Sequence, residues 1–275
     1  YATALGAEDT LTSTAENVDY GSYELVQDEA ALKAWIDEAC RLGVVAVDTE
    51  TTSLNALKAK LVGVSLSTEP GRACYIPLGH VGSGSQGSLD FGDGGDKGDR
   101  DAPKQIPMAR VIALLKPLLE NPSVLKIGQN IKYDIEVLSR HDIIISPCDD
   151  TMLLSHVLEG GLHGHGMDEL AELHLGYRTI KFKEVCGSGK SQIGFAEVPL
   201  DKALDYAAED ADVTLQLKEK FSPELKDRNG LKVFNEIECP LVYVLSDIEM
   251  EGIKVDREFL AEYSGELQIE LAKEM

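Results

Sequence analysis

The 275 residues are 43% hydrophobic and 6% aromatic, enough apolar chain for one large domain or for one domain and part of a second. A net charge of −22 argues against wrapping duplex DNA by phosphate neutralisation, yet leaves room for a carboxylate site that meets a phosphodiester through divalent cations. No apolar run approaches the roughly 20 residues of a membrane span, and five cysteines without Cys-x-x-Cys spacing suggest neither a disulfide framework nor a zinc knuckle, which points to a reducing cytoplasm.

Residues 1–21 are aperiodic Ala, Thr, Glu and Ser, which predicts a linker; with no initiator Met and no signal-peptide pattern, a fragment is expected. An acidic start and helical apolar spacing predict a helix over 28–40, stopped by Gly43 and with Trp35 in the core. Short apolar runs at 44–48, 61–67 and 73–78 predict three sequential strands in a meander. Residues 79–103 turn abruptly to Gly, Ser and Asp, a composition that cannot bury a core, and are expected to form a surface insertion. Their aspartates lack the alternating spacing of a calcium loop. Helices are then predicted over 106–119, 130–140, 149–158, 167–175 and 200–220, with a strand at 124–127. Strands alternating with helices give an α/β layered class.

Three acidic segments stand out. In Asp48-Thr-Glu50, at a strand end, the period of two puts both carboxylates on one face. In a chain with 48 acidic residues, however, an isolated Asp-x-Glu is more readily a solvated turn. Helical spacing puts Asn130, Tyr133 and Asp134 together, although a helix cap at Asn130 with a solvated Asp134 fits equally well. Tyr206 and Asp210 share a helix face from which Glu209 and Asp212 point away, and a core Tyr with Asp210 in water competes with a functional pair.

Taken together, in order and internal spacing, Asp48-Thr-Glu-Thr-Thr-Ser-Leu54, Gly128-Gln-Asn-Ile-Lys-Tyr-Asp134 and the segment Tyr206-Ala-Ala-Glu-Asp210 resemble the three exonuclease motifs of the DEDD superfamily in its Tyr-containing subtype. They look like the proofreading exonuclease domain of bacterial DNA polymerase I. The resemblance runs from about residue 22 into the C-terminus, and residues 238–256 resemble the opening of the polymerase portion. It implies an α/β, ribonuclease H-like mixed sheet flanked by helices, with the exonuclease domain over 22–228 and the start of a truncated polymerase domain over 229–275.

The resemblance also implies a chemistry. Two divalent ions, Mg2+ or Mn2+, about 3.5–4 Å apart, would activate water and stabilise the departing 3' oxygen of single-stranded DNA, releasing nucleoside monophosphates. Asp48, Glu50 and Asp210 would hold one ion, Asp48 would bridge to the second, and Asp134 would act on the second largely through its water shell. Tyr206 and Glu50 would orient the attacking water. Leu54 would wedge beside the terminal base, while Thr51, Gln129, Asn130, Tyr133 and Met167 would line a single-strand groove by sequence-tolerant stacking and apolar contact. The partners implied are a DNA 3' end and the polymerase domain of the same parent chain; the form implied is a monomer in a bacterial cytoplasm, associated with the nucleoid, with no polymerase activity in this fragment.

Other readings are a catalytically silent module of such a polymerase, disfavoured because all four acids are present, and an RNase D-like RNA trimmer, disfavoured by the polymerase-like C-terminal segment. Where the family often carries Arg-His, this chain has His163-Gly-His165-Gly166, so a phosphate contact is missing. His163 and His165 could suggest a zinc pair, but no further ligands at the usual spacing follow. The segment Gly187-Ser-Gly-Lys-Ser191 imitates the tail of a P-loop, yet Glu184 stands where the first Gly is required.

Overall fold

A computed structural model describes residues 23–82 and 102–274; the expected linker over 1–21 and most of the expected 79–103 insertion lie outside the described residues. Strand β1 (Glu24–Leu25) leads into helix α1 (Glu29–Leu42). Asp28 starts that helix by accepting the N–H groups of Ala30 and Ala31 at 3.0 Å. Gly43, at φ 75°, ends it in the left-handed conformation that glycine adopts without a Cβ penalty. The expected meander follows as β2 (Val44–Thr51), β3 (Leu61–Glu69) and β4 (Arg72–Pro77), all antiparallel neighbours. Helix α2 (Met108–Leu119) returns the chain to β5 (Leu125–Gly128), then α3 (Lys132–Ser139), β6 (Cys148–Asp150) and α4 (Thr151–Glu159). The short α5 (Met167–Leu170), continued by a wider turn over Ala171–Leu175, and α6 (Phe182–Cys186) precede the long α7 (Leu200–Asp227). Beyond it come α8 (Leu231–Val233), a second wide turn (Phe234–Glu238), α9 (Cys239–Glu251) and α10 (Arg257–Glu274).

The six strands lie in the order β1-β4-β3-β2-β5-β6, with β5 parallel to both β2 and β6 and β1 parallel to β4. Helices cover both faces, which makes this the expected mixed α/β sheet. One face carries Val45, Val47, Val64, Leu66, Cys74 and Ile76 against Leu32 and Trp35 of α1, Leu115 of α2 and Val137 of α3. The opposite face receives α7. Its β3 residues are small, Gly63, Ser65 and Ser67, and α7 answers with Ala203, Ala207, Ala208 and Ala211, all buried. Small side chains on both sides let the long helix press close to the sheet. A Cβ at Gly63 would fall 2.1 Å from the Tyr75 hydroxyl, so glycine is needed there for the tyrosine to lie across its neighbour.

Three local expectations are corrected. Asn130 is not part of a helix: it stands at φ 59° before α3, so it shares no helix face with Tyr133 and Asp134. Asp149 and Asp150 belong to strand β6 rather than to the next helix. The extended backbone of Asp150 lets its carboxylate cap α4 at the Met152 N–H, 2.8 Å away, and accept the N–H groups of Asn130 and Ile131, each at 3.0 Å. That last pair explains the left-handed Asn130: one buried carboxylate collects two adjacent amides just past β5. Finally, α7 runs past 220 to Asp227.

Candidate active site

Strand β2 ends over α7. Asp48 and Glu50, two residues apart, project to that face, and Asp210 rises from α7 to meet them, so that one carboxylate oxygen of each lies within 4.8 Å of the others. A register shift between Glu50 and Thr51 marks a bulge, which bends the strand as it leaves the site. Glu50 and Asp210 are buried, and Glu50 Oε1 has no hydrogen-bond partner among the described residues.

Burial is the first cause that lifts the Asp48 carboxyl to about 6. It also raises Glu50 and Asp210 well above the usual carboxylate range, and the neighbouring charges that push on both are themselves carboxylates. Such an arrangement is costly unless cations enter it. Tyr206, one turn before Asp210, has its phenol pushed far up by burial and then by Asp210, so it stays protonated and can donate a hydrogen bond.

Asp134 arrives from the other layer. It sits on α3, is buried, and accepts the Thr49 hydroxyl at 2.5 Å. Burial and then the charge of Asp48 hold its carboxyl well above the usual range. The fourth acid thus interacts electrostatically with Asp48 and Glu50 across the strand end without belonging to the converging donor set.

The Tyr133 and Thr51 hydroxyls and the Ser53 carbonyl form a triangle of close polar contacts, in which the two hydroxyl protons make two of the three hydrogen bonds at a time. Just beyond, Leu54 is 98% exposed, an apolar side chain held out in solvent. A cavity of about 590 Å3 between the strand end and α7 is lined by Glu50, Thr51, Leu54, Tyr133, Phe195 and Tyr206. A second, of about 560 Å3, continues past Leu54 and Tyr133 to Asn130 and Lys132. Gln129 and Met167 line neither: the Gln129 amide donates to the His165 carbonyl and accepts the Thr151 hydroxyl, and Met167 packs in the core between α4 and α7.

Sequence reasoning missed Thr49, Asp150 and the apolar wall of Phe182, Ile193 and Phe195 beside Tyr206. Thr49 alone carried a signal, a hydroxyl set between two motif acids. The wall comes from an irregular segment whose apolar residues follow no period.

A family model described as 3'-5' exonuclease matches residues 23–226. The DNA polymerase I of Rhizobium leguminosarum is 44% identical over 258 residues, an alignment that covers 90% of this chain and 24% of that protein. The chain belongs to the 3'-5' exonuclease domain family of DNA polymerase I. It spans about a quarter of the length of that curated relative. Members of this family are hydrolytic nucleases, and the sequence expectation of a 3'-5' exonuclease holds. Among solved structures, Escherichia coli RNase D, an exoribonuclease involved in structured RNA processing, superposes with a TM-score of 0.59 at 19% identity, covering 84% of this chain and 51% of that one. Brucella melitensis NrnC with bound Mg2+ gives 0.57 at 22% identity, covering 86% and 95%. Likeness at these identities shows the fold, the ribonuclease H-like exonuclease architecture.

Proposed function

We propose that this chain hydrolyses the 3'-terminal phosphodiester of single-stranded DNA with two divalent ions, Mg2+ or Mn2+, as the proofreading part of a polymerase whose body lies on the same parent chain. The observation that carries the proposal is the convergence of oxygens from half-buried Asp48 and buried Glu50 and Asp210, with one Glu50 oxygen lacking a hydrogen-bond partner among the described residues. An all-oxygen, acid-rich donor set fits hard cations, and the buried charge calls for them. Asp48, Glu50 and Asp210, with Asp134 from the opposite layer, would hold the ions. Bound there, divalent ions supply the Lewis acidity that phosphodiester hydrolysis needs, at the water and at the departing oxygen.

The protein's own groups do the positioning. Tyr206 keeps its proton and donates to the attacking water, while Glu50 accepts from it. The exposed Leu54 wedges against the terminal base. Tyr133 and Thr51, locked on the Ser53 carbonyl, form a rigid floor between the two cavities, and Asn130 borders the second cavity. Gln129 and Met167 support the groove from behind.

Residues 229–275 open the polymerase portion in this reading. Its support is the run of exposed apolar side chains Ile248, Ile253, Phe259, Ile269 and Leu271, a surface suited to cover by more of the parent chain. A monomer working at the bacterial nucleoid follows from the same reading. Digestion of 3'-labelled single-stranded DNA and RNA with Mg2+ tests it. Mononucleotides should leave DNA only when metal is present. Release from RNA alone would favour an RNase D-like trimmer, and no metal-dependent release from either sinks the nuclease assignment.

A further inference from the structure

Away from the carboxylate site, four of the six histidines pack ring against ring between α4 and the turn after α5. The rings of His156 and His165 are 5.3 Å apart, those of His163 and His165 5.1 Å, and those of His163 and His174 5.8 Å. At their centre is the carboxylate of Glu159, the last residue of α4. Its Oε2 lies 2.7 Å from His163 Nε2 and 3.3 Å from His174 Nε2. All three donor atoms fall within 4.8 Å of one another. We propose that Glu159, His163 and His174 bind a transition ion of the zinc class, at a site independent of the carboxylate centre.

The proton positions make the case. His163 Nδ1 lies 2.5 Å from the Gly164 carbonyl oxygen, which can only accept, so Nδ1 carries the proton. Nε2 then faces a carboxylate oxygen at 2.7 Å, a contact that calls for positive charge, supplied either by a second proton on the ring or by a metal ion. Nδ1–H donated to a backbone carbonyl is also the support that metal-bound imidazoles commonly have. A lone proton on His163 Nε2 would satisfy Glu159 but not His174. His174 Nε2 is buried, near enough to Glu159 for ion pairing, and not aligned for a hydrogen bond with any described residue. One ion serves all three donors at once.

The Arg228 guanidinium lies 3.9 Å from the other oxygen, Glu159 Oε1, which leaves Oε2 for the ion. Two imidazoles and one carboxylate suit Zn2+ or Co2+ better than Mg2+, with a fourth position left for water. The zinc pair that the sequence raised and set aside, His163 with His165, differs in membership from the proposed site. His165 turns its Nδ1 to the Ser155 hydroxyl at 2.8 Å, and the set is completed by Glu159, four residues before His163, and by His174, eleven residues after it. Such an ion would tie the end of α4 to the turn after α5. It would thereby stiffen the segment whose His165 carbonyl holds Gln129 behind the candidate groove.

The test uses the 275-residue chain with Asp48→Asn and Asp210→Asn, which removes the carboxylate centre as a competing site. Calorimetric titration with Zn2+ should show one ion per chain, and Zn2+ should raise the thermal midpoint. Co2+ should give the visible spectrum of a low-symmetry, nitrogen-ligated ion. Glu159→Gln and His163→Asn, each checked for a cooperative melt, should each weaken binding by at least about 10-fold. His165→Asn should not. No bound ion, or a cobalt spectrum without nitrogen ligation, overturns the proposal whatever the variants do. So does binding unchanged by both Glu159→Gln and His163→Asn.

Discussion

Helix α7 carries two sets of buried acids, and they differ in their partners. Glu209 accepts the Tyr177 hydroxyl and, at 2.7 Å, the Ile180 N–H. Asp212 accepts the Tyr23 hydroxyl and the Gly71 N–H, both at 2.8 Å, and the Gln216 amide at 3.0 Å. These carboxylates are the far ends of ties that bind the helix to β1, to the β3–β4 turn and to the segment after α5. Asp210, between them in sequence, faces Asp48 and Glu50 instead, and the nearest charges add to the cost of its own. Burial with donors marks an acid that holds the fold. Burial among other acids marks one that, in the proposed function, draws its counter-charge from a bound cation.

The largest expected effect separates the two sets at once. Asp210→Ala should cut metal-dependent release of nucleotides by on the order of 100-fold or more, because a donor of the ion site is lost. Its metal-free thermal midpoint should stay level or rise, since an uncompensated buried charge is removed. Activity within twofold of the parent refutes the assignment. Glu209→Ala should behave in reverse. It strands the Tyr177 hydroxyl and the Ile180 N–H, at about 1–3 kcal/mol each, and shows first as a loss of urea stability. A Glu209→Ala protein as stable as the parent breaks the comparison.

A pH series sharpens it further. The Asp48 carboxyl has an ordinary value of 3.8 and is raised by burial to about 6 in the folded chain. Between those values this group holds more protons in the native state than in the unfolded one, so its contribution to stability falls as pH rises from about 4 through 6. Glu50, Asp134 and Asp210 are raised as well and act in the same direction, prolonging the loss to higher pH. Divalent ions should oppose it, with a stabilisation that grows over the same range as their ligands deprotonate. Urea midpoints with EDTA and with Mg2+ across this window check both signs. Because His80, lowered by burial to about 4, acts in the opposite direction over this window, the metal-free curve is read against Asp48→Asn, and a parent that loses no stability relative to that variant as pH rises contradicts the unpartnered-acid reading.

How much of this was legible in the sequence follows from the same physics. The meander, α1 with its Asp28 and Gly43 ends, and the shared faces of Asp48 with Glu50 and Tyr206 with Asp210 are local, fixed by strand and helix periods. What escaped depends on long-range partners. Nothing near Asp150 announces that its carboxylate reaches back to two amides at 130 and 131, so strand β6 and the left-handed Asn130 were read as helix. Two-residue β1 exists only because β4 lies beside it. Glu159, His163 and His174 meet because α4 and the turn after α5 pack together, and their spacing gave no warning.

Thr49 offers the finest test, because it joins the two layers of the site. Its neighbours in β2 face α7, while its own hydroxyl points to the α3 layer and fixes Asp134. Thr49→Val keeps the shape of the side chain and removes one donor. The Asp134 carboxylate then loses a hydrogen bond that lowers its proton affinity, since that bond opposes the rise caused by burial. Stability in EDTA should fall by about 1 kcal/mol or less, the worth of one buried hydrogen bond whose acceptor can protonate. The nuclease should still turn over, but need more Mg2+ for half-maximal rate, because the fourth acid deprotonates less readily. Thr49→Ser, which restores the donor, should recover the parental Mg2+ dependence. If Thr49→Val leaves that dependence unchanged, Asp134 is held by α3 alone, and the link between the layers is packing rather than the hydroxyl.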